Sequence, residues 1–249
     1  MSFFEKKFDQ YFLKDKNIAK KIVKNLSFQD YNTVVEIGPG LGILTHYLLL
    51  KKVFLIEIDE NLIFFLKKKF SISKNKIIHQ DFLKWNPEEI NLNNFALIGN
   101  FPYGISSKIL FHILKYNQYI PECIGMFQKE FVERILSHKG MVKYGILSVL
   151  VQSFYDVEYL FSVKKHVFYP IPNVKSAVIS LKRKKSKLFN KDILFLCVKM
   201  AFNQRRKILK NALQYFKKIP NFYDIPFLNK RAEQLSIKEF LQLTKEIEI

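Results

Sequence analysis

The chain has 249 residues, 49% of them hydrophobic and 25% charged, with 8 glycines and 8 prolines. That composition excludes a disordered or fibrous chain and supplies a core of ordinary size without disulfide support. The 41 Lys+Arg against 22 Asp+Glu leave +19, which fits a polyanionic partner.

Residues 17–26 place Ile18, Ala19, Ile22, Val23 and Leu26 at spacings of three and four, which predicts an amphipathic helix. Thr33–Ile37 reads as a short β-branched strand that stops at Gly38-Pro39-Gly40, and 42–50 as the helix after it. Further strands are expected at 53–58, 76–79, 95–99 and 123–128, with helices at 60–69, 106–116 and 129–138 between or after them. Strands alternating with helices imply a doubly wound, mostly parallel α/β sheet of the Rossmann-like kind. Residues 146–154 and 174–181 are two more strand candidates. Beyond Lys191 the pattern is helical only, clearest over 191–202 and 204–217, with short helices expected in 229–248. The run Lys182-Arg183-Lys184-Lys185, with Lys187 after it, resists burial and marks the boundary: an α/β domain over 1–184 and a small helical domain over 185–249. Residues 181–249 hold 17 Lys+Arg against 6 Asp+Glu, net +11, and the rest of the chain 24 against 16, net +8.

No uninterrupted apolar stretch opens the chain and no run is long enough to span a membrane, so the expectation is a soluble protein, cytoplasmic in a bacterium. Cys123 and Cys197, the two cysteines, build neither a disulfide framework nor a four-ligand zinc site, which points to a reducing compartment. Nothing calls for an obligate dimer, and a monomer is expected.

The strongest local signal is Glu36-Ile37-Gly38-Pro39-Gly40-Leu41-Gly42, at a strand end before a helix. Glycines there let the backbone turn sharply and a ligand approach closely. The spacing is G-x-G-x-G, with Ile43 at the third glycine position of the dinucleotide fingerprint. E-x-G-x-G-x-G is the usual form of an S-adenosylmethionine site. Glu57, 19 residues beyond Gly38 and at the end of the next strand, can accept both ribose hydroxyls. Nicotinamide and S-adenosylmethionine sites share that feature, so it marks a nucleoside without choosing between them. Asp81, in Gln80-Asp81-Phe82, can accept from an adenine amino group, or simply cap a helix.

Asn100-Phe101-Pro102-Tyr103 follows the fourth strand, at the edge where α/β folds bind ligands. An exocyclic base amine must become more tetrahedral to attack a sulfonium methyl. The Asn100 side-chain carbonyl and the Pro102 backbone carbonyl can accept its two hydrogens, and Tyr103 offers a flat face to an extruded base. No metal is needed, because the methyl donor carries its own leaving group.

These residues resemble the ribosomal RNA adenine dimethyltransferase family. Its motifs are matched by Gln10-Tyr11-Phe12-Leu13, by 36–45, 56–59, 80–82, 99–107, 128–134, 144–149 and 168–176, and by Phe202-Asn203-Gln204-Arg205-Arg206-Lys207. The last is similar to the small-subunit branch. The resemblance implies dimethylation of N6 on two adjacent adenines near the 3′ end of small-subunit (16S) rRNA, within a pre-assembled 30S-type particle and as a step of ribosome biogenesis. It implies S-adenosylmethionine as donor, released as S-adenosylhomocysteine. It assigns cofactor contacts to Tyr11, Leu13, Gly38, Glu57, Asp81 and Asn100. Catalytic roles fall on Asn100, Pro102, Tyr103 and Phe168, the last as an aromatic opposite Tyr103. Arg205, Arg206 and Lys207 are implied RNA contacts on a helix. The family has Asn at Tyr11, which leaves a backbone contact there, and Asp at Lys175. Rival readings are a large-subunit (23S) rRNA methyltransferase of the antibiotic-resistance type, a non-catalytic nucleic-acid-binding relative and a nicotinamide oxidoreductase. The intact Asn100–Tyr103 loop speaks against lost catalysis, and the glycine spacing against the oxidoreductase.

Overall fold

A computed structural model describes residues 10–90, 92–185 and 189–248; Lys187 of the basic run lies outside the described residues. The chain divides into two compact units. The first comprises residues up to Val132 together with Asp156–Arg183, and the second Glu133–Tyr155 together with the chain from Lys184 on.

The strands of the first unit are β1 (Phe12–Leu13), β2 (Thr33–Ile37), β3 (Lys52–Glu57), β4 (Ile77–His79), β5 (Phe95–Asn100), β6 (Glu122–Gln128), β7 (Tyr155–Val163), β8 (Phe168–Tyr169) and β9 (Ser176–Arg183). Seven of them form the main sheet, in the order β4-β3-β2-β5-β6-β9-β7. Strands β2 to β6 run parallel, and β9 returns antiparallel to β6. The parallel strands are buried on both faces, which is why they read as near-continuous apolar runs such as 95–99. Helices α1 (Lys16–Lys24), α2 (Thr45–Leu48), α3 (Glu60–Phe70), α4 (Ser106–Lys115) and the start of α5 (Lys129–Ile135) connect them. Asp15 caps α1 by accepting from the amides of Asn17 and Ile18, and Asp59 caps α3 by accepting from Asn61. The two short strands, β1 and β8, pair antiparallel and hold the segment before α1 against the unit.

The second unit is helical: α6 (Ile146–Phe154), α7 (Lys191–Asn203), α8 (Leu209–Ala212) and α9 (Ile237–Glu248). Helix α7 packs against α6 and α9, with the Phe202 and Phe240 rings stacked at 5.8 Å. Among the described residues no helix is long and apolar enough to cross a membrane.

Four sequence expectations change. Residues 146–154 form a helix, not a strand. Nearly every position is buried, so no helical stripe shows, and its hydroxyls are satisfied: Ser153 donates to the Val149 carbonyl four residues back and Ser148 to the Arg134 carbonyl. Strand β7, with its mixed polar pattern, has no counterpart among the expected strands. The helix read over 204–217 breaks into α8 and a single 3₁₀ turn, because Gln204 leaves helical geometry and Ile208 bridges to Arg231. The helical unit also takes in 133–155, which the sequence pattern assigns to the α/β domain; α6 buries its apolar faces against α7 and α9.

Candidate active site

A cavity of about 550 Å³ opens at the carboxyl ends of β2, β3 and β5. Strand β2 has β3 on one side and β5 on the other, so this is the point where the sheet order reverses and α/β folds leave a crevice. Gly38 donates its amide to the Ile56 carbonyl at 2.9 Å and turns at φ +60°; a side chain there would project into open space. Gly40 turns at φ +54° with its α-carbon against the Phe12 ring, where an added Cβ would sit 3.1 Å away. The loop is braced from outside by Lys69, which donates to the Leu41 carbonyl at 2.8 Å.

Below the loop, Glu36 is almost wholly buried and accepts from the Thr45 hydroxyl at 2.7 Å. Desolvation pushes its carboxyl up to about 8, so the acid that opens the glycine motif ties strand β2 to helix α2 as a largely protonated group. Glu57 is also buried. Its Oε1 accepts from the amides of Ile58 (2.8 Å) and Asp59 (3.0 Å), and its Oε2 takes one long bond from Gly40 (3.4 Å). Burial raises its carboxyl above the ordinary range, opposed by those three amides. One oxygen is thus fixed and the other lightly held, which suits a carboxylate that accepts hydroxyl hydrogens from a ligand. Asp81 lines the same cavity while its Oδ1 caps the following turn through the Leu83 amide at 2.9 Å. Asp81 thus caps a turn and lines the cavity at once. The set is glycines open to a ligand, a ribose-type carboxylate and a second carboxylate beyond it, with apolar walls from Leu13, Ile58 and Phe82. It fits S-adenosylmethionine.

The opposite wall is Asn100–Tyr103. The Asn100 Nδ2 donates to the Tyr11 carbonyl at 2.6 Å, which leaves Oδ1 as the side chain's acceptor. The Pro102 carbonyl takes two long bonds, from the Ser106 hydroxyl (3.2 Å) and the Ile105 amide (3.3 Å). The Tyr103 hydroxyl meets the buried Ser176 Oγ at 2.6 Å, which fixes its ring. Phe101 is buried, and the motif alone does not show where it goes. Gly99 and Gly125 face each other across β5 and β6, and a Cβ on either would meet the Phe101 ring at 2.7 or 2.5 Å. The two glycines leave the hole that anchors the loop.

One expected residue lies elsewhere, and Tyr11, which lines the cavity, has an unexpected neighbour. Phe168 is wholly buried in the core of the first unit and does not line the cavity, because its pairing with Leu13 turns it inward and leaves Tyr169 exposed. Tyr11 is the ring found on Tyr103, at 5.2 Å between centroids and 28° between planes. The sequence hint was an aromatic at a position where the family carries a polar side chain.

In the second unit, Arg205, Arg206 and Lys207 sit in the turn after α7, not on a helix. The Arg205 Nε donates to Glu233 at 2.7 Å and its guanidinium also reaches the Val142 carbonyl at 3.2 Å. Arg206 and Lys207 are exposed.

The model of the Ribosomal RNA adenine dimethylase family matches residues 1–248. A relative from Flavobacterium johnsoniae named Ribosomal RNA small subunit methyltransferase A is 49% identical, covering 98% of this chain and 95% of its own. Among solved structures, a dimethyladenosine transferase from Plasmodium falciparum superposes with a TM-score of 0.81 at 28% identity, covering 95% of this chain and 97% of its own. A 23S rRNA methyltransferase, ErmE, superposes with a TM-score of 0.70 at 25% identity, covering 96% and 100%.

Proposed function

The chain belongs to the ribosomal RNA adenine dimethylase family, and from that premise we propose that it dimethylates N6 of two adjacent adenines in the 3′-terminal hairpin of small-subunit rRNA. It is a methyltransferase that uses S-adenosylmethionine and acts on rRNA. When bound, that cofactor supplies an electrophilic methyl on a sulfonium centre. Glu57 accepts from the ribose hydroxyls, Asp81 from the adenine amino group, and the Gly38–Gly40 backbone and Leu13 line the remainder.

The observation that carries the acceptor side is the Asn100–Tyr11 bond. With Nδ2 spent on a backbone carbonyl, Oδ1 faces the substrate as an acceptor and cannot rotate into a donor. Oδ1 takes one N6 hydrogen. The Pro102 carbonyl takes the other by exchanging one of its two long bonds. Accepting from both hydrogens of the unmethylated amine draws the nitrogen toward tetrahedral geometry and localises its lone pair for attack; in the second transfer one hydrogen remains to be accepted, and each transfer would release one proton to solvent as the sulfonium becomes a thioether. Tyr103, with its hydroxyl held by Ser176, carries the base face. Catalysis is positioning and charge complementarity in this cavity.

The polyanion contact falls to Arg206 and Lys207, which meet phosphates and position without reading sequence. Arg205 fixes the turn that presents them, through Glu233 and Val142. The substrate in this reading is a pre-assembled 30S-type particle, met by a monomer in the cytoplasm. The test is incubation with tritiated S-adenosylmethionine and unmethylated small or large subunits, followed by mapping of the label. Label on two neighbouring adenines near the 3′ end of small-subunit rRNA is expected; label confined to large-subunit rRNA overturns the assignment.

A further inference from the structure

The aromatic that covers Tyr103 comes from the edge segment 10–13. Its backbone is pinned twice: the Tyr11 carbonyl accepts from Asn100 at 2.6 Å, and the next residue pairs with Tyr169 in the β1–β8 ladder. The Tyr103 ring is pinned at its hydroxyl by Ser176. Two rings 5.2 Å apart at 28° leave no room for a third, since a base stacked between them needs roughly 7 Å between the outer planes. With both backbones fixed, that face of Tyr103 is freed only when the Tyr11 side chain rotates away.

We propose that the Tyr11 ring is a stand-in for the target base, a positioning residue that holds the acceptor slot closed until the adenine displaces it. This rests on the reading that Tyr103 carries the target adenine. An aromatic stack is exchanged for an aromatic stack, so a purine opens the slot at little net cost, whereas water or a small aliphatic amine offers nothing in return. The same device keeps the methyl donor shielded beside Asn100. Closed and open forms compete, so the apparent affinity for the rRNA target is lowered by the fraction of molecules in which the slot is closed.

The experiment is steady-state transfer from S-adenosylmethionine to unmethylated small subunits by Tyr11→Ala, Tyr11→Asn, Tyr11→Phe and Tyr103→Ala variants of the full chain. Both ringless Tyr11 variants keep the backbone carbonyl that Asn100 uses. They are expected to lower the KM for subunits by about two- to ten-fold, the size of one ring–ring stack. Tyr11→Phe restores the original KM. Two ringless variants guard against a folding defect in either. A subunit KM that is unchanged, or raised because the ring is instead a wall of the slot, overturns the proposal. If Tyr103→Ala transfers methyl undiminished, the stacking role of Tyr103 fails and this proposal with it. If Tyr103→Ala is impaired and the Tyr11 variants keep their KM, only the stand-in role falls.

Discussion

The two walls of the cavity are built by different means. The donor wall is made of backbone: Gly38 on the Ile56 carbonyl, and Glu57 fixed by the amides of Ile58 and Asp59. Such contacts are set as soon as β2 and β3 pair. The acceptor wall is made of side chains that hold one another: Asn100 on Tyr11, Tyr11 on Tyr103, and Tyr103 on Ser176. A wall of backbone amides is ready for its ligand, whereas a wall of mutually held side chains must be rearranged by its ligand.

That contrast is broken most sharply at Asn100. Asn100→Ala is expected to cut the rate of transfer by about 10²–10³-fold, the usual cost of one well-placed polar group at a reacting centre, with S-adenosylmethionine binding reduced only modestly. Single-turnover transfer together with equilibrium donor binding checks it, and a variant of full activity removes Asn100 from the chemistry. On the donor wall, Glu57→Ala should weaken S-adenosylmethionine by about ten- to a hundred-fold, since bonds to a charged acceptor contribute about 1.5–3 kcal/mol. Calorimetric titration reads this directly, and an unaltered affinity takes Glu57 out of the ribose site.

A smaller effect is expected outside the cavity. Neutralising Arg206 and Lys207 should lower affinity for small subunits and flatten the slope of log affinity against log salt by about one for each phosphate no longer neutralised. Binding measured over a salt series tests this; an unchanged slope means the turn after α7 does not meet rRNA. A separate effect, on stability and not on activity, concerns Glu36. Its carboxyl titrates near 8 in the folded chain and near 4.5 when free. Between those values the folded state binds the extra proton, so stability falls as pH rises from about 5 to 8. Glu36→Gln keeps a neutral partner for Thr45 and should flatten that decline. Denaturant unfolding across the pH range decides it, and a variant that declines like the parent refutes the protonated brace.

The donor wall was legible in the sequence because its parts are local and periodic. A β-branched strand, a glycine turn and an acid at the next strand end each carry a backbone reason for their residue type, and the parallel order follows from alternation. The misreadings have separate causes. Residues 146–154 are buried on nearly all sides, so the apolar pattern carries no period to separate helix from strand. Strand β7 opens on the alternation Tyr155-Asp156-Val157-Glu158-Tyr159, a period-two signal that Leu160-Phe161 then interrupts. Phe168 leaves its expected place opposite Tyr103 because a two-residue pairing, Leu13 with Phe168, turns its ring to the core. No local pattern announces a pairing between segments so far apart along the chain.

Phe101 is the buried residue of its loop, and it sets where the other three stand. Its ring occupies space vacated by Gly99 and Gly125, the second of which lies on a neighbouring strand and outside any recognisable motif. The geometry of the reactive amide is therefore encoded partly in an absence of atoms one strand away. An engineer who wished to shift the methyl acceptor by a fraction of an ångström would leave Asn100 untouched and retune the fit between that ring and its two hosts.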